Sequence, residues 1–245
     1  MVDLKGNPFY LKDEQIAWVN RTLENLTLDE KVGQLFCPIG MSTDEKALFD
    51  LAANKKVGGL LFRPGKGEEV QQAHRYLQQQ AKVPMLIAAN LEAGGTGSAI
   101  DGTRIGNPML LAAGQDAEFG HHLGEVCAKE GSAVGVNWAF APVVDIDYNF
   151  HNPITNVRTY GSDPETVLNY AKGFVEAVQQ NGVAASIKHF PGDGIDFRDQ
   201  HLVTTVNTLP LEEWRSTYGK VYSGLIEAGS LSVMIGHIAL PAVPK

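Results

Sequence analysis

Residues 184–201 read AASIKHFPGDGIDFRDQH. The run Ala184–His189 is short, small and apolar until its last two positions, which predicts a buried strand ending on Lys188 and His189. Pro191, Gly192 and Gly194 then break regular structure, so polar groups gather where the strand gives way to a loop. Immediately upstream, Pro164–Asn181 has helical periodicity, opened by Ser162 and Asp163 and closed by Gly182. Downstream, Leu211–Ala228 reads as a second helix and Ser232–His237 as a further strand. Strand, loop and helix thus follow one another as a unit, the pattern of parallel strands joined by helical crossovers.

The same unit recurs toward the start of the chain. An amphipathic helix at Asp13–Glu24 precedes a TLDE capping box at Thr27–Glu30, and strand one is predicted at Val32–Ile39. A helix over Asp44–Asn54, strand two at Gly58–Phe62, a helix at Glu68–Ala81 and strand three at Met85–Asn90 follow. The Gly-rich stretch Glu92–Asn107 lacks periodicity and is expected to form a site wall, because long irregular insertions in compact domains are usually functional. Helix Ala117–Val134 leads to strand four at Trp138–Asp145.

Six predicted strands suit either an open doubly wound sheet or a barrel. Polar residues stand at nearly every strand's carboxyl end: Asn90 and Glu92, Asp145 and Asp147, Lys188 and His189, and His237. Both architectures place ligands there. The lack of a GxGxxG turn after strand one, and a strand count still rising at residue 245, favour an α/β TIM (β/α)8-type barrel of which about six β/α units are present.

The 245 residues, 44% of them apolar, suffice for one well-buried domain. Acidic residues outnumber basic ones 28 to 20, for a net charge of −8, and no Lys/Arg cluster is long enough to track a phosphate backbone, which argues against nucleic acid as a partner. No secretory signal is visible in Met1–Gln15, and no run reaches the roughly 18 apolar residues of a membrane span. A cytoplasmic chain without a membrane partner is expected. Cys37 and Cys127 are isolated and lie in apolar segments, so buried free thiols are expected rather than a disulfide or zinc site. No cofactor motif and no metal-ligand spacing are recognised; His121 and His122 read as partly exposed helix residues. Trp138, Tyr148, Phe150 and Tyr160 can stack on a flat ligand or simply pack.

Lys188–His201 concentrates one lysine, one arginine, two histidines and three aspartates in fourteen residues. Asp199 and His201, two positions apart, can meet within a turning loop. A carboxylate beside an imidazole fixes the tautomer and favours the protonated ring, a pair able to give and retrieve a proton near neutral pH. The alternative is a surface Asp and His that never meet.

KHFPG followed by Asp-x-His resembles the signature of glycoside hydrolase family 3, in its β-N-acetylglucosaminidase branch, where the pattern is KHFPGHG and then Asp-Ser-His. LTLDEKVGQLF, VGGLLF, FAPVVDIDYN, NPITNVRTYGSDPE and VMIGHIALPA extend the resemblance over essentially the whole chain. It implies a family 3 amino-terminal barrel domain over residues 1–245, incomplete at its C-terminus, and a retaining exo-glycosidase acting on terminal β-N-acetylglucosaminides, with cell-wall-derived sugars as substrate. By the same resemblance His201 is the general acid/base and Asp199 its partner. Lys188 and His189 would bind sugar hydroxyls, Arg158 would contact substrate, Asp145 would stand behind them, and His237 has a less defined place.

Several residues depart from the pattern. Asn90-Leu91-Glu92-Ala93-Gly94-Gly95 stands where Asp-Gln-Glu-Gly-Gly is usual, leaving Asn90 as a neutral sugar-binding candidate beside Glu92. The arginine expected after the paired glycines is missing, with Arg104 as a possible replacement. Asp193 replaces a His and Gln200 a Ser in the loop that carries the dyad. The family's nucleophile, an Asp after strand seven, has no counterpart, so the gene is expected to continue through two more units. These departures leave open a β-glucosidase- or xylosidase-like specificity, phosphorolysis in place of hydrolysis, or a non-catalytic sugar-binding remnant.

Overall fold

The computed structural model describes residues 2–243. Helices α1 (Asp13–Glu24) and α2 (Leu28–Gly33) precede the sheet. Thr27 and Glu30 form the predicted reciprocal cap: the Glu30 N–H donates to Thr27 Oγ1 at 3.3 Å and the Thr27 N–H to Glu30 Oε2 at 2.9 Å. That cap corrects the reading of strand one. A capped N-terminus commits the next turn to helix, so α2 takes up Val32 and Gly33, and strand β1 is confined to Ile39–Gly40.

There follow α3 (Glu45–Phe49), widened into a π turn over Asp50–Asn54, then β2 (Gly59–Phe62), α4 (Gly67–Gln80) and β3 (Leu86–Ala89). Next come α5 (Pro108–Ala113), α6 (Glu118–Ala133), β4 (Trp138–Ala139), α7 (Pro164–Gln180), β5 (Ala184–Phe190) and β6 (Thr205–Val206). The segment α8 (Leu211–Trp214) runs through a π turn into α9 (Lys220–Glu227), and β7 (Ser232–Ile235) and β8 (Ile238–Ala239) close the described chain. Helix α5, opened by Pro108 at its first position, escapes recognition in the sequence because it is only six residues long.

Strands β1-β2-β3-β4-β5-β7 form one sheet in that order, and every pairing is parallel. Within this sheet the strands follow one another in chain order with no reversal, and the short pair β6 and β8 falls outside it. A doubly wound sheet requires such a reversal, whereas a barrel winds in one direction, so the topology is barrel-like. Strand β4 is shorter than predicted. Beyond Ala139 the chain reaches Pro142, which has no N–H for a ladder, and contact with β5 continues as separate bonds: the Ser186 N–H donates to the Ala141 carbonyl at 3.0 Å, the Lys188 N–H to the Pro142 carbonyl at 3.3 Å, and the Val144 N–H to the Lys188 carbonyl at 2.8 Å.

Leu123 and Cys127 of α6, Phe174 and Val178 of α7, and Ile87, Ala185 and Ile187 of the sheet are sealed from solvent in one core. Burial of each large aliphatic or aromatic side chain contributes about 1.5–3 kcal/mol. Among the described residues β1 and β7 each pair on one side only, and an apolar cleft of about 520 Å³ opens beside α2, lined by Val32, Phe36, Pro38 and Val57. No helix among the described residues is long and apolar enough to cross a membrane. Both thiols are free; Cys127 is buried, which pushes it up to about 12, whereas Cys37 is only partly covered, less than the sequence suggests.

Candidate active site

The segment after β3 contributes Asn90 and Glu92, and two cations converge on them. Arg158 donates to Glu92 through Nε and a terminal nitrogen, both at 2.8 Å, while Lys188 Nζ lies 2.6 Å from Glu92 Oε1 and 3.3 Å from Asn90 Oδ1. A further bond from Arg158 to the Ile154 carbonyl, 3.0 Å, fixes the guanidinium plane. Burial pushes the Glu92 carboxyl up, but bonds and charge from Arg158 and Lys188 more than reverse this and hold it at about 2. Four of the residues singled out in the sequence therefore form a single ionic cluster, with one carboxylate between two cations.

Asp145 follows β4 and is fully buried. Its Oδ1 accepts from the N–H of His189 at 3.0 Å and of Asp193 at 2.8 Å, and its Oδ2 lies 2.6 Å from His189 Nδ1. Desolvation opposes the Asp145 charge, yet the His189 ring and the two N–H groups outweigh it and lower its pKa. With Nδ1 committed to this carboxylate, Nε2 is the nitrogen His189 has left for a ligand.

The loop after β5 starts with two tight approaches. A Cβ on Gly192 would fall 2.1 Å from the Tyr218 ring, and one on Gly194 would fall 1.9 Å from the Ile146 carbonyl oxygen; both residues have positive φ. These glycines let the loop fold back over the strand ends and carry Asp199 and His201 outward. His201 Nδ1 and its backbone N–H lie 2.7 and 2.8 Å from the same oxygen, Asp199 Oδ1. Those bonds pull the Asp199 carboxyl below its ordinary range. The pair meets, as the i, i+2 spacing permits, and the His201 side chain is 62% exposed. Its Nε2 is the ring nitrogen not engaged by Asp199.

Residues outside the sequence-based selection complete the scaffold. Asn152 donates to Asp193 Oδ1 and to the Asp196 carbonyl, both at 2.7 Å, while its own Oδ1 accepts from Ile154 and Thr155 N–H groups. Tyr218 OH donates to the Asp193 carbonyl at 2.6 Å, and Thr159 Oγ1 to the Asp145 carbonyl. Asn152 lies before Pro153, a turn-forming pair that marks such a bracing amide; for Tyr218, inside an unbroken helical pattern, the sequence carries no signal. The pair β6 and β8, too short to recognise, ties the far end of the loop to the segment after β7.

Other candidates take different places. His237 has an exposed side chain and enters the network by its backbone N–H, which donates to Gln200 Oε1 at 3.0 Å. Arg104 is exposed and bonds Asn107. Tyr160 is buried and stacked on Tyr170, whereas Phe150 is exposed. On α6, ligand atoms of Glu118, His121 and His122 lie within 4.8 Å of one another, and His121 Nδ1 is sealed from solvent without a hydrogen-bond partner.

Residues 27–245 match the family model described as glycosyl hydrolase family 3 N terminal domain. The chain is 48% identical over 245 residues to a beta-N-acetylglucosaminidase/beta-glucosidase of Cellulomonas fimi, covering 100% of the chain and 43% of that protein. A solved beta-glucoside phosphorylase bound to 2FGlc is 48% identical, with a TM-score of 0.94 over 98% of this chain and 44% of its own. A family 3 beta-N-acetylglucosaminidase from Paenibacillus sp. str. FPU-7 is 32% identical, with a TM-score of 0.83 over 89% and 43% of the two chains. The chain thus spans less than half the length of these relatives.

Proposed function

From the premise that this chain belongs to glycosyl hydrolase family 3, we propose that it supplies the acid/base half of a retaining exo-glycosidase site that releases terminal β-linked N-acetylglucosamine. The observation that carries this reading is the 2.7 Å contact of His201 Nδ1 with Asp199, on the loop leaving the strand that ends in Lys188, His189 and Phe190. A protonated His201 gives its Nε2 proton to the glycosidic oxygen as the bond breaks, and Asp199 stabilises the imidazolium before that step. In the second half-reaction the neutral ring takes a proton from water, which attacks the glycosyl intermediate. Lys188, His189 Nε2, Arg158 and Asn90 bind sugar hydroxyls, with Glu92 holding both cations in place and Asp145 orienting His189.

Retention also needs a carboxylate nucleophile about 5 Å from the acid/base, which this reading assigns to polypeptide outside these 245 residues. Cell-wall-derived sugars are the substrate class favoured, and the free thiols suit a reducing compartment. The test is a panel of aryl glycosides with the protein at its natural length. Preferred turnover of the N-acetylglucosaminide supports the reading; turnover of a glucoside or xyloside alone rejects it.

A second reading, with inorganic phosphate as the acceptor, is favoured by the 48% identity to a protein named a beta-glucoside phosphorylase. A neutral imidazole repels an incoming phosphate less than a carboxylate would. Sugar 1-phosphate formed only when phosphate is present selects this reading; free sugar at an unchanged rate selects hydrolysis.

A further inference from the structure

We propose that Gln200 and Asp193 form a buried latch that sets the position of His201, so that both are positioning residues for the acid/base. The inference rests on the role given to His201 above. In the loop, Phe197, Arg198, His201, Leu202, Val203 and Thr204 are exposed and Asp199 is half-buried, whereas Gln200, between the two dyad residues, is 3% exposed. One buried side chain therefore pins an otherwise exposed stretch.

The bonds on that side chain leave it one orientation. Gln200 Nε2 donates to Asp193 Oδ2 at 2.7 Å, and Gln200 Oε1 accepts from the His237 N–H at 3.0 Å. The backbone N–H only donates and an ionised carboxylate only accepts, so a flipped amide would lose both bonds. Asp193 is itself immobilised: it is 2% exposed, its N–H bonds Asp145, its carbonyl accepts from Tyr218, and its Oδ1 accepts from Asn152 and Gly194. A continuous path of hydrogen bonds then runs from the Asp145 carboxylate that holds His189, through Asp193, to the residue adjoining His201.

The chemistry of the pair provides its own control. Asp193→Asn alone sets an amide NH2 against the Gln200 NH2, and Gln200→Glu alone sets two carboxylates against each other out of water; each single change frustrates the latch. In the double variant the roles exchange. The amide introduced at position 193 keeps its oxygen for Asn152 and Gly194 and donates to the carboxylate introduced at position 200, whose other oxygen accepts from the His237 N–H.

The experiment measures all three variants and His201→Ala in the protein at natural length, using a pair of aryl glycosides with good and poor leaving groups, with the His201 ring followed by 15N NMR. Each single variant is expected to lower kcat on the poor leaving group by up to roughly 10²-fold, to spare the good one, and to perturb the His201 ring signals. The double variant is expected to recover both rate and signals. Folded single variants with unchanged leaving-group dependence overturn the latch, as does a double variant that fails to recover when the singles do not fold. If instead His201→Ala leaves the poor leaving group unaffected, the functional reading itself has failed.

Discussion

Arg158 and Glu92, 66 positions apart in sequence, face each other through two parallel hydrogen bonds of 2.8 Å, while the same carboxylate holds the buried Lys188. Two cations, Lys188 near the end of β5 and Arg158 in the turn Asn156–Arg158, are thereby kept compatible with burial by one anion. Removing that anion leaves Lys188, with a side chain 3% exposed, without its charge partner. Glu92→Gln is therefore expected to destabilise the intact protein by about 3–5 kcal/mol, the cost of breaking a buried pair on one side. Urea unfolding measures it, and a loss below about 1 kcal/mol would show that the cluster relaxes or is reached by water.

The same carboxylate sets a pH dependence. Its folded-state pKa, about 2, is below the ordinary 4.5, so its contribution to stability is complete above 4.5 and is lost as pH falls from there toward 2. Melting curves of the native protein and of Glu92→Gln should differ most at neutral pH and converge across that acid window. A gap that stays constant down to about pH 2 excludes Glu92 as its source.

Asp145→Asn offers one acceptor oxygen where two are used. The two N–H groups of His189 and Asp193 can keep it, in which case the amide NH2 faces His189 Nδ1 and the ring must become an acceptor there. The expected result is a folded protein weakened by about 1–3 kcal/mol, with the His189 proton moved to Nε2. The 15N shifts of the ring report the tautomer, and an unchanged pattern would mean that Asp145 does not set it.

Much of this arrangement is legible in the sequence because its signals are local. The turn around Gly192 and Gly194, the i, i+2 relation of Asp199 and His201, and polar residues at strand ends all show within a few positions. Strand one is misplaced because Val32–Ile39 is a largely apolar run, which cannot by itself distinguish a buried strand from a helix followed by a turn; the Thr27 cap, a separate signal, decides the matter. Strand four is overextended because the apolar run continues past Pro142, which has no N–H to carry the ladder on. The Gln200 latch lies beyond sequence reasoning in another way. Gln200 and Asp193 stand out as departures from the family pattern, but their direct contact, and the Tyr218 hydroxyl behind them, depend on how the loop folds onto α9 and the preceding π turn.

Asp199→Asn tests the partner rather than the ring. The amide can keep an oxygen toward His201 Nδ1 but no longer carries a charge to stabilise the imidazolium. Turnover of a poor-leaving-group substrate should therefore fall by up to roughly 10²-fold, while a good leaving group is spared. A folded variant with native leaving-group dependence would separate Asp199 from the acid/base.

The most direct test of the acid/base assignment is the turnover of His201→Ala on a poor-leaving-group N-acetylglucosaminide, relative to the native protein at natural length. The account predicts a loss of roughly 10²- to 10⁴-fold, shrinking as the leaving group improves. A folded variant that turns over the poor substrate at the native rate would contradict it.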